Sequence, residues 1–293
     1  MENENKEKKD WTFPVSIAVA VIAVIIAFVY RAGESSPSQA TAGQSVQTES
    51  AGGAILPVTW GDLGTEMVQA GVIDPKKFEA VYAGSGGLDA YEHNLLYGEN
   101  NGRLVINGDD AGMILNLLWA LGLSTKNPIL ENGPITDPQY GGAGGFASTG
   151  GWTIAVGDAM YHFDAHPFIA LTADEQALVE KVAQNIYRPC CDNSTYFPDC
   201  NHGMAMLGFL ELMASQGASE GEMYKDALVL NQYWFPDTYA NIAKYFEGIG
   251  QNYADIDPKV ILGKEYSSVS GYNFVLSQIK PTNNPSSGNC GVQ

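Results

Sequence analysis

Apolar positions recur at helical spacing through most of residues 55–280. Asp62–Ala70, Pro75–Ala83 and Leu88–Tyr97 are predicted as short helices, divided by Gly71 and by Gly84-Ser-Gly-Gly87. Asp74 before Pro75 supplies an N-cap with proline at the first helical position. Arg103–Asn107 is strand-like but alone, too short to imply a sheet. Asp109 and Asp110 are expected to cap Ala111–Leu121, a helix apolar nearly all round and therefore the predicted central core helix, with Gly122 as its stop.

Leu123–Gly157 breaks the pattern. It is rich in Gly and Pro and predicts a long loop, the kind that often covers a site. Its Gly142–Ala147 stretch fits a loose dinucleotide fingerprint, but no strand precedes it, so a tightly turned loop packed on helices is the better reading. Periodicity returns with Thr172-Ala-Asp-Glu175, a capping box that opens a helix over Ala173–Arg188 stopped by Pro189. Helices follow over His202–Gln216, from a second capping box at Ser219–Glu222 to about Phe235, over Pro236–Phe246 and over Ser268–Ile279.

Ahead of this lies a different pattern. From Val15 to Tyr30 every residue except Ser16 is apolar, and Pro14, Phe13, Thr12 and Trp11 extend the run. Twenty helical residues at about 1.5 Å each cross a hydrocarbon core of about 30 Å. Trp11 and Tyr30 stand at the two interfaces, and the lysines before the run place the N-terminus in the cytoplasm. A cleaved signal peptide is the alternative, since Ala40-Thr41-Ala42 has the small-x-small pattern, but that triplet lies well past the apolar run. Either way the main domain is exported. Four divisions result: residues 1–31 as cytoplasmic tip and membrane anchor, 32–54 as flexible linker, 55–280 as the helical domain and 281–293 as a disordered tail. The predicted fold class is mainly α, an N-terminal transmembrane helix followed by a compact multi-helix extracytoplasmic domain with one long Gly/Pro-rich loop.

Composition supports a packed core, with 45% hydrophobic residues. Acidic and basic side chains cancel over residues 1–31, so the net charge of −18 belongs wholly to residues 32–293. Such a surface repels phosphate backbones, which excludes nucleic acid as a partner and suits cations. The membrane, through the one N-terminal helix, is the expected partner.

The candidate chemistry gathers in Arg188-Pro-Cys-Cys-Asp-Asn-Ser-Thr-Tyr-Phe-Pro-Asp-Cys-Asn-His-Gly203, which carries Cys190, Cys191, Cys200 and His202 on a loop between two helices. Three readings stand open. In an exported chain, cysteines form disulfides by default, with Cys191–Cys200 or a bridge to Cys290 as pairings. Thiolate and imidazole are also ligands for soft metals, copper(I) first and zinc second. For that reading Cys190, Cys191, Cys200 and His202 are the ligand set, with Met206 beside His202 at helical i+4 spacing and Met204 facing the core. A thiol near His202 at a helix N-terminus would also be activated for redox chemistry. His162 and His166, at i and i+4 on a short helix capped by Asp158, are reserve ligands if that helix folds back. The competing class is a non-catalytic envelope protein whose cysteines only staple a loop. No motif names a substrate.

Overall fold

The structure, a computed structural model, describes residues 53–279. The apolar run near the N-terminus, residues 32–52 of the linker and the C-terminal tail with Cys290 lie outside the described residues. Among the described residues no helix is long and apolar enough to cross a membrane.

Helices dominate, as their periodicity predicts. In chain order the elements are β1 (Ala54–Gly61), α1 (Leu63–Gln69), α2 (Pro75–Tyr82), α3 (Ala90–Tyr97), β2 (Asn101–Ile106), α4 (Ala111–Ser124), α5 (Pro128–Asn132), α6 (Ala147–Gly150) and α7 (Ala173–Ala183). Then come α8 (Asn201–Ser215), α9 (Glu220–Trp234), α10 (Pro236–Gly248), α11 (Pro258–Ile261), α12 (Lys264–Ser267) and α13 (Val269–Gln278). The starts follow local chemistry. Asp74 accepts from the N–H groups of Lys76 and Lys77, and Asp89, Thr172 and Ser219 each close a capping box with the glutamate three residues on.

The core is built on α4 and α8. Their glycines let the two backbones touch: a Cβ on Gly122 would lie 2.1 Å from the Met204 carbonyl oxygen, and one on Gly208 would lie 2.6 Å from the Gly122 nitrogen. Gly122 is therefore a contact inside α4 and not its stop; the helix continues to Ser124. Asp110 also departs from expectation. Its carboxylate leaves the helix uncapped and holds the N–H and the side-chain amide of Asn107, each at 2.7 Å.

The strand-like run after α3 does pair. β1 and β2 form a two-stranded antiparallel sheet, with Ala54 opposite Ile106 and Gly61 opposite Asn101. Leu56, Val58 and Trp60 of β1 and Leu104 and Ile106 of β2 are buried, and the ladder is irregular between Ile55 and Thr59, where Pro57 has no N–H to give. Gln216, just past α8, exchanges two 2.8 Å hydrogen bonds with the Thr59 backbone and so ties the sheet to the central pair.

Two helices end or form differently from the prediction. α7 stops at Ala183 instead of Arg188, because the chain turns back on itself. Tyr196 N–H donates to the Ala183 carbonyl and Thr195 N–H to that of Ile186. The region after Asp158 forms only a single 3-10 turn, Ala159–Tyr161, with Asp158 as the predicted cap. His162 and His166 are not on a helix, and Asp164 between them has φ +53°.

Candidate metal centre

The doubling back that ends α7 creates the site. Loop residues 184–200 carry Arg188, Cys190 and Cys191 out and return with Asp199 and Cys200, the residue that caps α8. Two anchors hold the outward limb: Val269 N–H donates to the Cys191 carbonyl, and Asp192 accepts from the N–H and hydroxyl of Ser270. The Gly-rich loop closes another side. Ser148 N–H donates to the Asp199 carbonyl, and the rings of Phe146, edge-on, and Tyr140, tilted, each lie 5.3 Å from that of Phe197. The long Gly/Pro-rich segment thus packs against the cysteine loop, in keeping with its length.

Arg188 is the organiser. Its side chain is 1% exposed, yet each nitrogen has an acceptor. Nε donates to Cys200 Sγ at 2.9 Å, one terminal nitrogen to the Asn193 carbonyl at 3.0 Å, and the other to the Phe197 carbonyl at 3.1 Å and Asp199 Oδ1 at 2.8 Å. Asp199 is fixed in turn by Asn193 Nδ2 at 2.8 Å. Gly203, in the first turn of α8, provides the space: a Cβ there would fall 2.4 Å from the guanidinium carbon. A buried cation at the positive end of a helix is unfavourable unless anions face it. Asp199 is one such anion, and Cys200 is the second.

Cys200 Sγ lies 3.4 Å from Cys190 Sγ, beyond the roughly 2.05 Å of a disulfide, and none of the three described cysteines is in a disulfide. Hydrogen bonds from Cys190 and Cys191, then the charge of Arg188, hold Cys200 well below the ordinary thiol range despite its burial. Cys191 goes the other way: its bond with Cys190 is outweighed by that with Cys200 and by burial, and it is pushed up to about 12. Arg188 stays protonated against the penalty of burial because the sulfurs of Cys200, Cys191 and Cys190 surround it. His202 sits with its ring 4.4 Å from Phe235 and 5.7 Å from Trp234. Burial holds it down to about 4, so its imidazole is neutral, and its buried Nδ1 has no hydrogen-bond partner.

Ligand atoms of Cys190, Cys200 and His202 all lie within 4.8 Å of one another, as do those of Cys191, Asp199 and Cys200. Either group can hold a metal ion. The first is the softer set, two sulfurs and a neutral imidazole.

The other predicted ligands fall elsewhere. Met206 is 1% exposed in the apolar core of α8, as is Met204 at 0%. His162 and His166 do meet, with Nδ1 of the former 3.1 Å from Nε2 of the latter, but they belong to no three-residue ligand group among the described residues. His162 Nε2 faces the Val156 carbonyl at 3.1 Å. A carbonyl only accepts, so His162 carries its proton on Nε2 and its Nδ1 accepts from His166.

The residues that sequence reasoning passed over are Arg188, Asp199 and Gly203. The signal was present: an arginine and an aspartate bracketing three cysteines between two apolar helices are charges with nowhere to go but each other. Comparison with family models, with characterised proteins and with solved structures found no match to this chain.

Proposed function

We propose that this protein binds a soft transition metal, copper(I) ahead of zinc(II), through Cys190, Cys200 and His202. The observation that carries the reading is the meeting of the Cys190 and Cys200 sulfurs, 3.4 Å apart, with the buried ring of His202, whose Nδ1 has no hydrogen-bond partner. Three soft ligands satisfy copper(I), whereas a structural zinc site wants four. Arg188 and Asp199 act around the ligands: the guanidinium steadies the Cys200 thiolate before metal arrives, and Asp199 balances the guanidinium. Export of the domain on an N-terminal membrane helix, with no nucleic-acid partner, belongs to the same proposal. It rests on the apolar run 11–30 and the acidic remainder of the chain.

One alternative draws on the same geometry. With the sulfurs 3.4 Å apart, Cys190 and Cys200 can exchange with a partner disulfide: two protein thiols become one intramolecular disulfide, two partner thiols leave, and the partner takes both electrons and both protons.

The test is anaerobic titration of the full chain with copper(I) and with zinc(II), wild type against a Cys200→Ser, His202→Ala double variant. One equivalent of tight copper(I) is expected in the wild type and none in the variant, with affinity falling as pH drops because ligand binding displaces protons. Equal metal content in two folded proteins would overturn the reading. Loss of thiols to a disulfide on exposure to an oxidised dithiol, with no metal bound, would favour exchange.

A further inference from the structure

A cleft lies away from the cysteines, between the Thr125–Pro128 turn after α4 and the start of α7. Its volume is about 260 Å³, and Thr125, Lys126, Ile169, Leu171, Ala173 and Gln176 are among the residues around it. Ile169, Leu171 and Pro128 make one wall apolar; the rest is polar and is only partly used by the protein.

Thr125 is the informative residue. It is 1% exposed and its N–H donates to the Leu121 carbonyl, yet its hydroxyl has no partner among the described residues. A buried hydroxyl left unpaired is destabilising, so its place on a cleft wall points to an occupant that pairs with it. The start of α7 adds two donors. The Thr172 hydroxyl takes the Glu175 N–H and the Thr172 carbonyl takes that of Gln176, while the N–H groups of Ala173 and Asp174 have no acceptor among the described residues. Such amides at the positive end of an eleven-residue helix favour an anion. Lys126, on the same cleft, stands in no ion pair among the described residues.

Of the acidic groups nearby, Asp164 accepts from the Asn127 N–H at 2.7 Å and feels the charge of Lys126. Glu175 is turned back to the Thr172 N–H and hydroxyl, and Glu180 accepts from Gln176 Nε2 at 3.1 Å. Gln176 Nε2 gives its other hydrogen to Asn127 Oδ1 at 3.0 Å, so Gln176 Oε1 is left to accept from a ligand.

From this placement we infer that the cleft binds a small carboxylate carrying a neighbouring hydroxyl and a short aliphatic chain. The carboxylate meets Lys126, the Thr125 hydroxyl and the α7 amides; the ligand hydroxyl donates to Gln176 Oε1; the chain covers Ile169 and Leu171. The site shares no residue with the metal centre, so the two proposals stand or fall separately.

Calorimetric titration of the full chain with 2-hydroxybutyrate tests the assignment. Saturable binding is expected, with butyramide weaker by about tenfold or more because its amide cannot answer the ammonium and the helix start. Thr125→Val should weaken binding about tenfold and at the same time raise the Tm of the ligand-free protein, since it removes the unpaired hydroxyl. Lys126→Gln changes an exposed side chain, leaves folding intact and should also weaken binding. The Cys200→Ser, His202→Ala variant should bind as the wild type does. Absence of saturable binding, equal affinity for butyramide, or full affinity in both Thr125→Val and Lys126→Gln would overturn the proposal.

Discussion

Helix α8 is buried along its length and again at its N-terminus, and the two burials work by different means. Along its length it lies against α4, where Gly122 and Gly208 bring backbone to backbone and the side chains around them are apolar. At its N-terminus it receives Arg188, a full charge sealed from water and held by four acceptors from the preceding loop. The first contact is non-directional and depends on shape. The second depends on each partner being present, because a charge left alone in the interior costs several times what the pair contributes. The helix pair is thus a scaffold, while the loop is a stack of mutual dependences whose centre is Cys200.

That contrast is broken most directly at Arg188. Arg188→Met keeps the bulk but leaves Asp199, Cys200 and two carbonyls without their donor. Urea denaturation should show a loss of about 3–5 kcal/mol. The thiolate absorbance of Cys200 should titrate at higher pH than in the wild type. A loss of only about 0–1 kcal/mol, as for an exposed ion pair, would mean that the loop is held by something other than its charges.

A smaller loss is expected from the scaffold. Gly208→Val would put a Cβ 2.6 Å from the Leu118 carbonyl oxygen and force α4 and α8 apart, for about 3 kcal/mol by the same measurement. Metal binding by the variant should survive wherever it is still folded, since the ligands come from the loop and the first turn. Loss of metal at full folding would show that the two burials are coupled.

The smallest effect concerns pH. Glu211, also on α8, is fully buried; Asn127 Nδ2 donates to its Oε1 at 2.5 Å and its Oε2 has no partner. Burial raises it well above the ordinary 4.5. The folded protein then keeps a proton that the unfolded chain has released. Its contribution is fully present below pH 4.5 and declines as pH rises toward the raised folded value. His202 has the opposite sign: lowered from 6.5 to about 4, its contribution is full above pH 6.5 and is lost as pH falls through 4. Glu211→Gln should flatten the alkaline decline, by at most about 1.4 kcal/mol per pH unit, and leave the acid side alone. His202→Ala should do the reverse. Thermal unfolding of the two variants and the wild type across pH checks both, and an unchanged profile in either would remove the assignment for that residue.

Legibility in the sequence followed the range of the interaction. The caps at Asp74, Thr172, Asp158 and Ser219 are written within four residues of their helices, and they stand where expected. β1 was missed: Leu56, Val58 and Trp60 alternate, but the proline between them and the polar linker before them disguised a strand that pairs with β2 and is tied down by Gln216. Ile186 has the spacing of α7 and is buried as that spacing implies, yet it lies past the helix end and is covered by the returning loop. Periodicity reports which residues are buried and not what buries them.

The sequence by itself determined that the described residues are mainly helical, that α4 is a core helix, and that three cysteines and a histidine gather between Arg188 and Gly203. Those properties follow from composition and from contacts a few residues apart. Tertiary structure alone decided that Cys190 and Cys200 approach each other and His202, that Arg188 is sealed against Gly203, and that His162 and His166 join each other instead of the cysteines. The geometry of those meetings depends on where the loop doubles back and on which surfaces α9, α13 and the Gly-rich segment present to it. No local pattern encodes that, because the partners lie far away in the chain and act through shape and desolvation.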